Sequence, residues 1–300
     1  GPRGDHHPAA GGEMPPRSVY LPLLGHELHV MEWGDATKPL LVMWHGLARN
    51  GRDFDELAMA LTDRWFVVCP DTIGRGYSTW SDRPETDYVL PNYARMAVAM
   101  FDHYGAERAA WIGTSMGGQI GMTVAGDVAP HRISALVIND IGPEVPDAAL
   151  DRIVTYSADL PTFETLTQAE AWLREVYLPF GPASDAFWRR MAEASVRRRA
   201  DGRLTLHYDP RIIAVLDGDR ASTNLWEVFD RITAPTHVVR GGQSDLLTAE
   251  IAEAMKARGP KPGVTVYDDC GHAPTLTRPA DTEWIAGLLE TLVETSAADT

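Results

Sequence analysis

Ser115 is of a residue type, and in a local pattern, suited to nucleophilic catalysis. It lies in Gly113-Thr114-Ser115-Met116-Gly117, between an apolar run typical of a buried strand and a stretch compatible with a helix. A Gly-x-Ser-x-Gly turn in this context lifts the serine hydroxyl above the sheet. Glycine is needed at 113 and 117 because a Cβ there would clash with the neighbouring strand or helix. Serine is a weak nucleophile, so this chemistry also requires a base and a group that orients the base.

One histidine and two aspartates are placed to supply those groups. His272 follows the last predicted strand, Asp245 follows the strand before it, and Asp140 follows an earlier core strand. The carboxyl ends of parallel strands meet at one edge of a sheet, so these side chains can converge on Ser115. We predict that His272 is the base and Asp245 the orienting acid, because Asp245 follows the penultimate strand in the order Ser, Asp, His. Asp140 is the alternative acid.

The elements that must position these residues alternate along the chain. Short runs rich in β-branched and aromatic residues indicate buried strands at 40–44, 65–69, 109–113, 134–139, 236–240 and 264–268. A leading antiparallel hairpin is expected over 18–24 and 27–33. Helical periodicity indicates helices near 52–62, 91–104, 116–128, 247–258 and 280–294. This alternation predicts an α/β fold with a mostly parallel sheet covered by helices on both faces.

The alternation stops between residues 143 and 233. This stretch is interrupted by prolines and has helical patterns near 146–157, 166–177, 184–200 and 223–231, without a convincing buried strand. We predict a helical cap at 143–233, a core domain formed by 18–142 and 234–300, and a mobile tail at 1–17.

The chain from about residue 18 to 295 resembles the α/β-hydrolase family. The Gly-x-Ser-x-Gly turn and the order of the catalytic residues carry this resemblance. Two further motifs support it: Trp44-His45-Gly46-Leu47 looks like the oxyanion motif, and the segment 71–78 matches D-x-x-G-x-G-x-S. The resemblance implies an eight-stranded sheet with the cap over the site.

The resemblance also assigns roles around the serine. It implies that the backbone N–H groups of Leu47 and Met116 form the oxyanion hole. His45 is expected to be a scaffold residue and Asp71 to stabilise its glycine loop. Cys270 lies two residues from His272, but nothing nearby lowers the pKa of its thiol, so we expect a structural role.

The cap is rich in aromatic residues, which predicts an apolar roof over the substrate. Trp188 and Trp226 are candidates for this roof. Arg49 and Asn50, just past the oxyanion motif, are candidates for a polar substrate contact. The arginines near 189–199 are expected to form a solvated helix face.

Composition limits the partners. The 300 residues carry a formal net charge of −15, which argues against nucleic acid and anionic membranes as partners. The two cysteines and ten histidines show no metal-binding spacing, and no apolar run is long enough to span a membrane. We expect a cytoplasmic protein whose partner is a small-molecule substrate, as a monomer or homodimer, with neither metal nor cofactor.

These features predict a serine hydrolase that cleaves carboxylic esters of small, largely apolar or aromatic substrates. A lactonase and a carbon–carbon bond hydrolase acting on vinylogous diketones of the meta-cleavage-product type would use the same three residues, so both alternatives stay open. A ligand receptor derived from a hydrolase is a further alternative.

Overall fold

The computed structural model describes residues 14–298 and contains eleven strands within them. In chain order these strands are β1 (Arg17–Leu23), β2 (His26–Trp33), β3 (Leu40–Trp44), β4 (Phe66–Pro70), β5 (Ala109–Thr114), β6 (Ile133–Asn139), β7 (Thr162–Phe163), β8 (Val196–Arg198), β9 (Leu204–Leu206), β10 (Thr236–Gly241) and β11 (Gly263–Tyr267). Eight of them form one sheet in the order β1-β2-β4-β3-β5-β6-β10-β11. The pairings of β1 with β2 and of β2 with β4 are antiparallel, and the others are parallel. The predicted α/β fold with an eight-stranded, mostly parallel sheet is therefore confirmed.

Helices cover both faces of this sheet. In chain order the α-helices of the described residues are α1 (Asp55–Ala60), α2 (Pro84–Asp87), α3 (Leu90–His103), α4 (Met116–Thr123), α5 (Asp147–Ser157), α6 (Leu166–Val176), α7 (Asp185–Ser195), α8 (Arg211–Gly218), α9 (Trp226–Asp230), α10 (Ala249–Lys256) and α11 (Pro279–Ala298). Side chains alternate along β3: Leu41 and Met43 pack on the side of α1 and α11, whereas Val42 and Trp44 pack on the side of α3 and α4. Every residue of β3 is buried, as expected for a central parallel strand.

The hairpin at the start of the sheet turns at Leu24 and Gly25. Both residues have positive φ, 50° and 81°, which matches the right-handed twist of the flanking strands. Residues 1–13 of the predicted tail at 1–17 lie outside the described residues, and the last residue of that tail, Arg17, begins β1.

The order of strands reverses next to β3. The chain passes from β3 to β4 on one side and then returns to β5 on the other side of β3. Loops diverge at such a point and leave a crevice at the carboxyl ends of the strands, where open α/β sheets bind ligands. The loop after β3 and the turn after β5 border this crevice, and they carry Leu47 and Ser115.

The segment between β6 and β10 contains α5 to α9 and also a small antiparallel sheet in the order β7-β9-β8. We predicted no buried strand here, and that prediction is wrong because β9 is buried. Strands of two or three residues are too short to give a period-two pattern. The predicted helix 184–200 ends at Ser195, and residues 196–198 pair with β9. The division into core and cap at 143 and 233 remains a prediction.

Contacts from α7 attach this segment to the sheet domain. Arg190 donates to the carboxylate of Glu56 and to the carbonyl oxygen of Arg52, and its guanidinium lies 5.1 Å from the ring centroid of Phe187. The expected solvated face is thus wrong for Arg190, whereas Arg189 is exposed. Within residues 14–298, no helix combines the length and hydropathy needed to cross a membrane.

Candidate active site

Ser115 sits in a strained turn between β5 and α4. Its φ is 56° and its ψ is −119°, a conformation that residues with a Cβ rarely adopt. The flanking glycines leave no room for a side chain. A Cβ at Gly113 would lie 2.2 Å from the Gly117 oxygen, and a Cβ at Gly117 would lie 2.0 Å from the Trp44 oxygen. The close approach predicted for both glycines is therefore present.

His272 connects Ser115 to a buried carboxylate. Its Nε2 lies 2.9 Å from the Ser115 Oγ, and its Nδ1 lies 2.6 Å from Oδ2 of Asp140. A carboxylate only accepts hydrogen bonds, so Nδ1 donates to Asp140 and the neutral ring presents Nε2 to the serine as an acceptor. This is the arrangement that allows an imidazole to take a hydroxyl proton.

Asp140 is fully buried and held from several sides. Its Oδ1 accepts from the Gly241 backbone N–H at 2.6 Å, and its Oδ2 also accepts from the Ser244 hydroxyl at 2.6 Å. Asp140 has a positive φ of 59° directly after β6. Sequence reasoning missed Ser244, since a serine in a loop gives no signal for this role.

The predicted contact between Asp245 and His272 is not present, and this expectation is corrected. Asp245 is about half exposed at 51 % and accepts from Arg152 of α5 at 2.9 Å. The loop after β10 turns so that Ser244 and the Gly241 N–H face inward onto Asp140, which leaves the Asp245 side chain at the rim. The alternative acid, Asp140, occupies the position beside His272.

His45 and Asp71 hold the loops around the crevice. Burial lowers the pKa of His45 to about 4, so its ring is neutral at neutral pH. Nδ1 donates to the Gly46 oxygen, and Nε2 accepts from the Thr72 N–H at 2.9 Å. Burial alone would raise the pKa of Asp71, but hydrogen bonds, foremost from His29, outweigh this and lower it. Both residues are built into the scaffold, as expected.

Two cavities meet at Ser115. The larger has a volume of about 830 Å³, contains His272 and is bordered by the rim pair Arg152 and Asp245. Its other walls include the aromatic side chains Phe54, Trp172, Tyr177, Phe180 and Phe187. The smaller has a volume of about 90 Å³ and is mostly apolar, with Ile141, Val145, Leu150, Ile153, Ile212 and Val215 among its lining residues. Leu47 and Ser115 line both cavities, whereas Met116 lines the smaller one.

Of the four residues predicted to contact the substrate, one lines a cavity and three do not. Arg49 lines the larger cavity, paired with Asp53 through hydrogen bonds of 2.7 and 2.9 Å. Asn50 instead caps a short helical turn and donates to the Ala194 oxygen. Trp188 and Trp226 line neither cavity.

The two tryptophans have other partners. Trp188 is buried against Phe180 and Phe187, and Trp226 donates to Glu144 and lies under the guanidinium of Arg258. Their places could not be predicted from the sequence, because an aromatic residue on a helix between β6 and β10 gives the same sequence pattern whichever way that helix is rotated.

Helix α8 supplies part of the smaller cavity and was not predicted. Its residues Ile212, Val215 and Leu216 recur at helical spacing and could have been found by that pattern. Cys270 is buried, and burial raises the pKa of its thiol to about 12, so it stays protonated as expected of a structural cysteine. Within residues 14–298 no cluster of three or more His, Cys, Asp or Glu side chains is arranged to hold a metal ion.

Comparisons with known proteins agree with this architecture. The family model for the alpha/beta hydrolase fold matches residues 39–279. The sheet order and the serine turn define a member of this class of enzyme, and the chain belongs to the α/β-hydrolase family.

Three similar proteins show how far the likeness extends. A 3-hydroxybutyrate-oligomer hydrolase of Cupriavidus necator is 38 % identical over 268 residues, covering 85 % of this chain and 90 % of that protein. A 2-(acetamidomethylene)succinate hydrolase of Mesorhizobium japonicum is 28 % identical, covering 86 % and 91 %. The crystal structure of an alpha/beta hydrolase from Novosphingobium aromaticivorans has a TM-score of 0.81 at 35 % identity, covering 92 % of this chain and 98 % of that one.

Proposed function

We propose that this enzyme is a serine hydrolase of carboxylic esters that uses Ser115, His272 and Asp140. The observation that carries the proposal is the continuous hydrogen-bonded chain from Ser115 Oγ through His272 to Asp140, with Ser115 at the junction of two cavities. Relatives named as hydrolases and an esterase support the same reaction class.

The reaction runs in two halves. The Ser115 Oγ attacks the ester carbonyl carbon while His272 takes the hydroxyl proton. The tetrahedral intermediate collapses, its bond to the alcohol oxygen breaks, and His272 gives that oxygen the proton. Water then attacks the acyl-enzyme with His272 again as base, and the acid is released as the proton returns to Ser115. Asp140 keeps Nδ1 protonated and stabilises the imidazolium.

The backbone N–H groups of Leu47 and Met116 are proposed to bind the oxyanion. Met116 is the first residue of α4, where N–H groups have no partner within the helix and where the helix dipole favours negative charge. Leu47 lies in the loop after β3 and borders both cavities at Ser115. The N–H of Met116 at the start of α4 and the N–H of Leu47 in the loop after β3 can therefore point to one oxygen.

The position of His272 supports a proposal for which half of the substrate each cavity holds. His272 must protonate the leaving alcohol, and it lines the larger cavity but not the smaller one. The alcohol portion therefore occupies the larger cavity and the acyl group the smaller. The smaller cavity has a volume of about 90 Å³ against about 830 Å³ for the larger one, so it suits a short acyl chain.

These dimensions favour esters with a short acyl unit and a longer or bulkier alcohol. The relative named as a 3-hydroxybutyrate-oligomer hydrolase supports the same substrate class, because a hydroxybutyryl unit has four carbons and the rest of an oligomer is its alcohol portion. We propose short-chain acyl esters, including linear oligoesters of short hydroxy acids, as substrates.

The nucleophile is tested by labelling with a fluorophosphonate and measuring intact mass. One adduct is expected on the wild type and none on Ser115→Ala. Ser157→Ala is the matched control, since Ser157 also lines the larger cavity, and it should label like the wild type. Labelling that persists in Ser115→Ala would refute the assignment. A panel of aryl esters, hydroxybutyrate oligomers, lactones and vinylogous diketones then separates ester hydrolysis from its alternatives by kcat/KM.

A further inference from the structure

Arg75 is a fully buried arginine that the catalytic mechanism above leaves unused. It lies in the glycine loop between β4 and α2, and its exposed fraction is 0 %. Burial of an unpaired charge is energetically costly, so buried arginines are normally paired with carboxylates. Within residues 14–298, no carboxylate oxygen lies within 4.0 Å of its guanidinium.

The guanidinium is instead bonded to neutral groups beside Ser115. Its Nε donates to the Leu47 oxygen at 2.7 Å, and one Nη lies 3.4 Å from the sulfur of Met116. The other Nη donates to the Ile73 oxygen at 2.9 Å and to the Tyr93 hydroxyl at 2.8 Å. Arg75 therefore contacts both residues whose N–H groups are proposed to bind the oxyanion.

The surroundings keep this charge uncompensated. The rings of Tyr88 and Tyr93 lie 6.0 and 5.2 Å from the guanidinium carbon. Behind Tyr88 is Asp209, which accepts from the Tyr88 hydroxyl and pairs with Arg211. Asp209 thus pairs with Arg211, and Asp71 in the same loop accepts from His29 and from the backbone N–H groups of Gly51 and Tyr77. Neither carboxylate forms an ion pair with Arg75, whose positive charge is left to act on the site.

We propose that Arg75 is a positioning residue whose buried positive charge stabilises the oxyanion formed on Ser115. It acts through Leu47 and Met116 without touching the substrate. In the resting enzyme the guanidinium is hydrogen-bonded to neutral groups and forms no ion pair with a described carboxylate, and it gains a negative partner when charge develops on the carbonyl oxygen. Preorganised charge in a water-excluded site favours the transition state in this way, because no reorganisation is needed during the reaction. The inference rests on the proposed function.

The test compares two inhibitors on the whole enzyme. A trifluoromethyl ketone with a short acyl-like chain adds to Ser115 and forms an oxyanion, whereas the matching secondary alcohol fills the same cavities and forms none. For Arg75→Met we expect the inhibition constant of the ketone to rise at least about tenfold, less than the loss of a direct oxyanion donor. The constant for the alcohol should change by less than about twofold, because the ground state carries no charge.

Two further variants separate charge from packing. Arg75→Lys replaces the guanidinium with an ammonium whose charged form is disfavoured by burial, so its ketone constant, divided by that of the wild type at the same pH, should fall towards one as the pH is lowered. Arg190→Met removes another largely buried arginine, one that is paired with Glu56, and it should leave the ratio of the two constants unchanged. Thermal melting checks that each variant is folded, and Arg75→Gln replaces Arg75→Met if the latter does not fold.

Each outcome is decisive. An unchanged ratio in the neutral variant, or a loss in Arg75→Lys that equals that of the neutral variant at every pH, overturns the role of the charge. If the wild type forms no adduct with the ketone, or if Ser115→Ala binds the ketone as well as the wild type, the proposed function itself fails.

Discussion

The position of the acid is tested by replacing Asp140 and Asp245 separately with asparagine. Asp140 accepts hydrogen bonds from the Gly241 N–H, the Ser244 hydroxyl and His272 Nδ1. The backbone N–H needs an oxygen, so in Asp140→Asn the new side-chain amino group takes the place of Oδ2, opposite the histidine. An amino group there donates to Nδ1, which must then be unprotonated.

The consequence is a histidine in the wrong tautomer. If Nδ1 carries no proton, the neutral ring carries it on Nε2, and Nε2 no longer accepts the proton of Ser115. The equivalent substitution lowers kcat by about 10⁴-fold in the serine-protease triad. We expect Asp140→Asn to lower kcat by about 10³- to 10⁴-fold, which is about 4 to 5.5 kcal/mol of activation free energy.

Asp245→Asn is the matched control. Among residues 14–298, Asp245 pairs with Arg152, and both side chains are about half exposed, so the pair contributes at most about 1 kcal/mol to stability. We expect kcat to stay within about twofold, because the substitution leaves the hydrogen bonds of His272 intact.

Both variants are assayed with an aryl butyrate, with kcat and KM determined separately and thermal melting as the check on folding. The expected result is a loss of kcat in Asp140→Asn with little change in KM. A loss of more than about a hundredfold in Asp245→Asn, together with less than tenfold in Asp140→Asn, would refute the reasoning from the structure.

Two other properties follow from the same geometry. For aryl esters, kcat/KM should stay about the same from acetate to butyrate and fall at least about tenfold by octanoate. Ile212→Ala should move the preference to longer acyl chains because it enlarges the smaller cavity. An unchanged chain-length profile in that variant would contradict the placement of the acyl group in the smaller cavity. The pKa of His45 is about 4 in the fold and about 6.5 when unfolded, so the unfolded chain binds the proton first on acidification. The free energy of unfolding should therefore fall by about 2 to 3 kcal/mol more in the wild type than in His45→Gln between pH 7.5 and 4.5, measured by urea unfolding, and equal losses would refute this.

The core strands and the serine turn were predictable because their signals are local. A strand such as β3 is buried on both faces and reads as a continuous apolar run, and the turn at Ser115 needs glycines at two fixed positions. The small sheet of β7, β8 and β9 and the helix α8 were missed. The strands are too short for periodicity. Helix α8 did have a start signal, because Asp209 and Pro210 precede it and Asp209 accepts from the Arg211 N–H.

The burial of Arg75 could not be predicted from the sequence for a different reason. In the sequence it is a polar residue between two glycines, which is typical of an exposed turn. Its burial depends on Tyr88 and Tyr93 closing over it and on the loop after β3 offering the Leu47 oxygen. No local pattern records contacts between segments so far apart, so the position of this charge beside Leu47 and Met116 is visible only in three dimensions.

The strand order alone does not decide which aspartate, Asp140 or Asp245, contacts His272. Strands β6 and β10 are neighbours in the sheet, so the loops that follow them approach His272 from adjacent positions, and each carries an aspartate. Chain order cannot choose between them. The choice depends on which carboxylate is buried and supplied with donors: Gly241 and Ser244 of the second loop both donate to the aspartate of the first, Asp140. The loop that carries Asp245 thus contributes to the site through its donors, while its own carboxylate lies at the rim with Arg152.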